Sequence, residues 1–349
     1  MNILLTGSTG FVGKQLTLQL LGQGHSVYAL ARNKKKADNL KASVPDHLQD
    51  RLYMVEGNIA EDMAGVSDEQ IEQLQGRIDT VYHIAAYLSF DDREKDQLFH
   101  INVNGTRHIL ELAKKLHVKN FFHVSTAYTL GDQLHAKEEL HSLERSFVNY
   151  YEKSKCEAEH LVFEYKDDFH INIFRPSIIV GDSKTGEAES TFALYGVIRS
   201  FQLMKRRIER QKSATPEKIR FVCNEKAAQN LVPVDYVVNV LVAGLEHAEQ
   251  NKIYHITNSH PPSNAFVFEL LKSELDFYGV ELVPTTFEGG LTDQELKFNE
   301  PMRVFQEYLK KTLHFDDSNT QELLAKSHLQ PLDLNERVLR TIISGKVNA

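Results

Sequence analysis

A tyrosine and a lysine four residues apart, Tyr151 and Lys155 in the run Asn149-Tyr150-Tyr151-Glu152-Lys153-Ser154-Lys155, have the types and spacing to move a proton. In a helix opened by this run the two side chains share one face, about one turn apart. A phenol with an ordinary pKa of about 10 is a poor acid or base near neutrality, and an ammonium beside it favours the phenolate. Upstream, His123-Val124-Ser125-Thr126-Ala127-Tyr128 closes an apolar run. A hydroxyl at the C-terminal end of a strand, here Thr126 with Ser125 as helper, can hydrogen-bond a carbonyl oxygen as negative charge builds on it. The structural alternatives are a surface tyrosine beside a lysine and hydroxyls that merely cap a strand.

Such a site needs a scaffold and a reactant, and the N-terminus suggests both. Thr6-Gly7-Ser8-Thr9-Gly10-Phe11-Val12-Gly13 follows an apolar strand and opens a helix. That is the context in which a glycine-rich turn cradles the pyrophosphate of a dinucleotide. Gly7 permits the tight turn, Gly10 the approach of backbone to phosphate, and Gly13 the close packing of helix on strand. The positive ring of an oxidised nicotinamide would add to the pull of Lys155 on Tyr151. Where the second strand ends, an acid would hold a ribose 2′-hydroxyl and an arginine would accommodate a 2′-phosphate. The chain has Arg32 there, so NADPH is the expected cofactor. Lys34, Lys35 and Lys36, which follow, read as the solvated start of a helix.

The elements around these residues alternate. Short apolar runs at Asn2 to Thr6, Val27 to Ala31, Leu52 to Glu56, Thr80 to Ile84, Phe121 to Val124 and Ile171 to Phe174 are separated by segments of helical period. Val12, Leu16 and Leu20 mark one helix and Val103, Ile109, Leu110 and Ala113 another. The expectation is an α/β fold: a doubly wound parallel (Rossmann) sheet with a smaller, mostly helical C-terminal substrate lobe. The dinucleotide-binding domain is expected over 1–181, with 231–257 returning to it as a helix and a strand, and the substrate-side lobe over 182–230 and 258–349. The basic stretch from Arg199 to Lys218, with Lys205, Arg206, Arg207, Arg210 and Lys212, reads as an exposed helix or flap. It could meet phosphates of coenzyme A or of a carrier, or simply be solvated.

With 349 residues, 42% of them hydrophobic, the chain can bury a large core. A net charge of −8 gives no global attraction to nucleic acid or to an anionic membrane surface. Two cysteines, Cys156 and Cys223, are too few for a disulfide framework and lack the spacing of a metal site, so no metal is expected and a reducing cytoplasm is the simplest setting. No run of apolar residues is long enough to span a membrane, and the first apolar run reads as a strand rather than a secretory signal.

Glycine turn, strand-end hydroxyl and Y-x-x-x-K together resemble the extended short-chain dehydrogenase/reductase family over roughly the first 260 residues. Several strings are similar to its thioester reductase and fatty acyl-CoA reductase (male-sterility) branch. They are His83-Ile84-Ala85-Ala86 with Phe90, Asn102-Val103-Asn104-Gly105-Thr106, His123 to Tyr128, Arg175-Pro176-Ser177-Ile178-Ile179 and Val232-Pro233-Val234-Asp235. The tail, at Phe305 to Phe315 and Asn319 to Leu324, carries a fainter likeness.

The resemblance implies Thr126, Tyr151 and Lys155 as catalytic residues. It implies that Ala85 and Ala86 line the cofactor cleft, that Asn102 supports the fold near the site, and that Pro176, Ser177, Ile178 and Ile179 run beside the nicotinamide. Asn58, next to Ile59, departs from the aspartate that the family places near the adenine, although an amide can still donate and accept there. No adenylation or carrier segment accompanies the reductase pattern, so an acyl donor would arrive as a free or separately carried thioester. An acyl carrier protein and a second copy of the chain are the candidate macromolecular partners.

The leading expectation is hydride transfer from NADPH to an acyl thioester, giving an aldehyde or an alcohol. The same triad would serve a ketone or aldehyde reductase. A sugar-nucleotide epimerase or dehydratase fits less well, because Ala127 stands where such dehydratases carry an acid and Arg32 opposes NAD. A non-catalytic NADPH sensor or scaffold is the alternative from another class, since a fold can outlive its chemistry.

Overall fold

In the computed structural model, which describes residues 1–189, 194–210, 218–287 and 289–347, β1 (Asn2–Thr6) has Ile3, Leu4 and Leu5 fully buried. Burial on both faces is what a strand inside a helix-covered parallel sheet requires. The chain then alternates through α1 (Phe11–Gly22), β2 (Ser26–Ala31), α2 (Lys34–Ser43), β3 (Leu52–Glu56), α3 (Asp68–Leu74) and β4 (Thr80–His83). It continues through α4 (Lys95–Phe99), α5 (Gly105–Lys115), β5 (Asn120–Val124), the short β6 (His135–Ala136), α6 (Tyr150–Glu164) and β7 (His170–Pro176). Later come α8 (Val234–His247) and β11 (Lys252–Ile256). Seven strands pair in parallel in the order β3-β2-β1-β4-β5-β7-β11. The order reverses direction at β1 and β4, the switch point at which such sheets open a crevice beyond their C-terminal ends. The expected doubly wound parallel sheet is therefore present.

Two compact units divide the chain. The first comprises Met1–Ser177, Val237–Thr257 and Phe315–Pro331, and the second Ile178–Tyr236, Asn258–His314 and Leu332–Ala349. The first holds the seven-stranded sheet. In it α5 and α6 cover one face, burying Ile109, Leu110, Ala113, Leu161 and Val162 against Phe121, Ile171 and Ile173.

The second unit contains β8 (Ile178–Val180), α7 (Leu194–Arg210), β9 (Ile219–Val222), β10 (Leu231–Pro233), α9 (Asn264–Leu275), β12 (Val280–Val283), α10 (Asp293–Asn299) and α13 (Glu336–Val347). Mostly helical, it also carries two short parallel pairs, β8 with β10 and β9 with β12. The units differ from the expected bounds, since Phe315–Pro331 belongs to the first unit rather than to the lobe, and 178–181 and 231–236 belong to the second. The basic stretch is no flap up to Arg210: α7 buries Leu194, Val197, Ile198, Phe201 and Met204 in the unit's core, while Arg199, Arg206, Arg207 and Arg210 stay in solvent. The apolar residues recur at helical spacing and outweigh the charges on the other side of the same helix. Lys212 lies outside the described residues. Among the described residues no helix is long and apolar enough to cross a membrane.

Candidate active site

Each glycine of the first turn has a separate steric role. Gly7 takes a left-handed φ of 74°, and a Cβ there would sit 2.8 Å from the Ala85 nitrogen. A Cβ on Gly13 would fall 2.1 Å from the Gly7 carbonyl oxygen, so only glycine lets α1 pack onto the turn. Gly10 is the N-cap of α1 and supplies no side-chain cap. The first N–H groups of that helix therefore face outward with the positive end of its dipole, an anion site in waiting. The Ser8 hydroxyl is buried there with no protein partner. Thr9, Phe11 and Val12 remain partly accessible around it, as does Ala85, while Ala86 is exposed. A second buried hydroxyl without a partner, that of Ser125, lies just past the end of β5. An uncapped helix end and orphaned buried donors are what a nicotinamide dinucleotide would satisfy, so the residues fit the group.

Arg32 is exposed, one residue past the end of β2, the immediate neighbour of β1. Asn33 caps α2, its side chain accepting from the Lys36 N–H at 3.0 Å, and the lysines follow on the helix surface. The Asn58 amide is committed to its own turn, donating to Glu61 Oε1 at 2.8 Å and accepting from the Ala60 N–H at 3.3 Å. Ile59 sends its side chain into the core, so it can offer the crevice only its backbone.

The candidate triad is built by the end of β5 and by α6. Thr126 ends the extended segment after β5 and is buried, its hydroxyl oxygen accepting weakly from the Tyr128 N–H at 3.4 Å. Its own O–H thereby stays available as a donor. Asn149 caps α6 by accepting from the Glu152 N–H at 2.9 Å, which places Tyr151 and Lys155 on successive turns. Lys155 is 2% exposed, and its ammonium donates to the Val124 carbonyl oxygen at 2.8 Å and lies 3.4 Å from His123 Nε2. With two of three N–H groups so engaged, one remains for a ligand.

Burial sets the protonation states. It drives Lys155 down to about 8 against the opposing pull of Glu159. It pushes the Tyr151 phenol up to about 12, and the Glu152 carboxylate adds to the rise. Tyr151 is thus a protonated phenol across the neutral range, a proton donor rather than the lowered phenolate its spacing from Lys155 suggested. The Phe90 ring meets it edge-on, centroids 6.3 Å apart.

Two histidines behind the triad carry roles that the sequence did not reveal. His83 and His123 are paired across β4 and β5, and Thr6 pairs with His83 across β1 and β4, so the three side chains form a row on one face. His83 bridges the hydroxyls of Thr6, at 2.8 Å, and Thr106, at 3.0 Å. Burial first, then the Lys155 charge, holds His83 down at about 3; the same causes, with His83 added, depress His123. Both rings are neutral beside a lysine. Polar residues in matching positions near the ends of three strands were the available signal.

Asn102 is buried. It sits in a π-helical turn, His100–Asn104, that leads into α5. Its Nδ2 donates to the Tyr87 carbonyl and to Ser154 Oγ, both at 2.9 Å, and its Oδ1 accepts from the Tyr87 N–H at 2.7 Å. Pro176 and Ser177 end the first unit's β7 segment and are buried; Ile178 and Ile179 open β8 of the second unit and are half-buried.

The family model of the male sterility protein matches residues 5–241. The fatty acyl-CoA reductase wat of Drosophila melanogaster is 26% identical over 297 residues, which cover 72% of this chain and 55% of that protein. The chain spans about half the length of the curated relatives it matches. Among solved structures, the terminal R domain from the myxalamid PKS-NRPS biosynthetic pathway superposes with a TM-score of 0.80 at 24% identity, covering 99% of this chain and 90% of that one. A thiolation-reductase di-domain from an archaeal non-ribosomal peptide synthetase gives a TM-score of 0.75 at 19% identity, covering 99% and 74%. With its sheet, its glycine turn and a family match over most of its length, the chain belongs to the male sterility protein family of the extended short-chain dehydrogenase/reductases.

Proposed function

We propose that this chain is an NADPH-dependent reductase of acyl thioesters, delivered on coenzyme A or on an acyl carrier protein. The observation that carries the reading is a buried Lys155, one turn past Tyr151 on α6, whose ammonium is anchored to the Val124 carbonyl two residues before Thr126. Bound NADPH would supply the hydride. The Thr126 and Tyr151 hydroxyls would hold the substrate carbonyl oxygen and stabilise the charge that develops on it. Tyr151 would give that oxygen its proton, and Lys155 would hold the ribose with its remaining N–H. The resulting hemithioacetal collapses to aldehyde and free thiol. The second unit would form the substrate-side lobe.

NADPH is favoured over NADH by Arg32, a cation where the second strand ends and where no acid stands to hold a free 2′-hydroxyl. Carrier delivery is supported by the fold shared with a thiolation-reductase di-domain. The test is coenzyme oxidation by the purified chain, with NADPH and NADH, against matched panels of acyl-CoAs, aldehydes and ketones. Thioester turnover that disappears in Tyr151→Phe with NADPH affinity intact supports the reading, and Arg32→Asp should cut the NADPH preference about tenfold or more. Tight NADPH binding without turnover of any panel member would favour a sensor, and an active Tyr151→Phe would remove the proton donor from the mechanism.

A further inference from the structure

The second unit encloses a cavity of about 50 Å³ whose wall is almost entirely hydrocarbon, supplied by side chains such as Ile178 of β8, Leu231 of β10, Val197 of α7, Leu271 of α9 and Met302. Of its three polar lining residues, Asn264, Gln229 and Tyr308, the two amides are already occupied. The Asn264 amide nitrogen donates to the carbonyls of Asn224, at 2.8 Å, and Leu309, at 3.3 Å, while the Gln229 amide nitrogen donates to the Tyr308 carbonyl at 2.8 Å. An ordered water needs two to four polar partners, and a space without them stays dry and takes up apolar ligands. The cavity also has a stiff rear wall. Phe268, one of its lining residues, belongs to a knot of rings with Phe201 and Phe221, centroids 5.6 and 5.1 Å away, and Phe298 closes the knot at 5.2 Å from Phe201. Such interlocked rings resist collapse into the empty space.

We infer that this cavity is a binding site for the methyl end of an unbranched alkyl chain, and that it sets the chain length the protein prefers. Ile178 and Leu231, which line it, are paired in register in the small parallel sheet. Ile178 also belongs to the stretch that the family resemblance places beside the nicotinamide, so one lining residue is itself implicated in the chemistry. The identity of the chain as the tail of an acyl thioester rests on the function proposed above. The affinity of the cavity for hydrocarbon does not.

Two substitutions test it, Val197→Phe to fill the cavity and Leu271→Ala to enlarge it, with NADPH affinity as the check that each variant is folded. Titration with cis-parinaric acid should show binding to the unaltered chain and about tenfold weaker binding to Val197→Phe, the scale of a methylene-sized misfit in an apolar pocket. With acyl-CoAs from hexanoyl to octadecanoyl, Val197→Phe should shift the optimum to shorter chains and Leu271→Ala to longer ones. If Val197→Phe fails to fold, the shift in Leu271→Ala decides. Absence of parinaric acid binding, or thioester turnover with an unmoved chain-length optimum in the folded variants, overturns the cavity assignment and leaves the reductase reading in place. Binding of parinaric acid that depends on Val197, without turnover of any thioester, keeps the alkyl site and overturns the reductase reading instead.

Discussion

Asn102 Nδ2 lies 2.9 Å from Ser154 Oγ, and the Ser154 hydroxyl in turn donates to the Tyr151 carbonyl at 2.8 Å. A buried amide on the turn before α5 is thereby joined to α6 between Tyr151 and Lys155. The other arm of Asn102 holds Tyr87 by both its N–H and its carbonyl, fixing the segment that follows Ala85 and Ala86. One side chain therefore ties the segment after Ala86 to α6. π-Helical turns are frequent at functional sites, and this one aims the amide inward.

Replacing Asn102 by Ala should loosen both arms at once. Misplacing a catalytic group by a fraction of a residue costs roughly 10- to 100-fold in rate, so kcat should fall on that scale while KM changes little. Ser154→Ala removes only one arm and should cost a few-fold. Steady-state kinetics with the best acyl-CoA, alongside thermal melts, separates positioning from stability. A fall in Tm without a fall in kcat would show that Asn102 supports the fold alone.

Lys155 ties the site to pH. Its folded pKa of about 8 lies below its ordinary 10.5, so between these values the unfolded chain holds a proton that the folded chain has released. Stability contributed by this group rises with pH across that window and is flat below it. The positive charge available to the ribose and phosphates disappears over the same range. NADPH affinity should therefore decline as pH passes about 8 upward, while the fold gains stability. Lys155→Met should show neither trend. His123→Leu removes an acceptor from the ammonium and should move the decline in affinity to lower pH. Coenzyme fluorescence titrations across the range would decide, and a decline of the same midpoint in the wild type and in Lys155→Met would sink the assignment.

The parts of this site that were legible in the sequence are those whose partners are close along the chain. The glycine turn, the Asn149 cap and the Tyr151–Lys155 spacing depend on neighbours within a turn or two, and each strand of the sheet carried its own apolar run. The pairing of His83 with His123 and of Thr6 with His83 depends on register between strands, which only the folded sheet sets. The upward shift of the Tyr151 phenol is hidden from sequence for a related reason. Spacing brings an ammonium onto the right face, but burial and Glu152 outweigh it, and burial is a property of the packed unit. Helix α7 misled in the opposite direction. Its charges crowd together at Lys205, Arg206, Arg207 and Arg210, although Leu194, Val197, Ile198, Phe201 and Met204 already repeat at helical spacing.

Between β7 and α6, Arg175 and Glu159 form a doubly hydrogen-bonded pair, Nε to Oε1 at 2.9 Å and Nη2 to Oε2 at 2.6 Å, with no exposure of either side chain. Arg175 also donates to the carbonyls of Lys137 and Glu139, at 3.3 and 3.0 Å. The pair thus clamps α6 to β7 and to the segment between β5 and α6. A buried ion pair is a poor source of net stability, because desolvation consumes much of its attraction, yet removing one partner strands the other charge. Glu159→Gln should destabilise the chain by about 3–5 kcal/mol, and Arg175→Met by a similar amount. Glu159→Leu combined with Arg175→Met removes both charges and should recover part of that loss. Urea unfolding of the three variants measures this directly. If the double variant is no more stable than the single ones, the main-chain carbonyls that Arg175 satisfies, rather than the charge on Glu159, account for its place in the core.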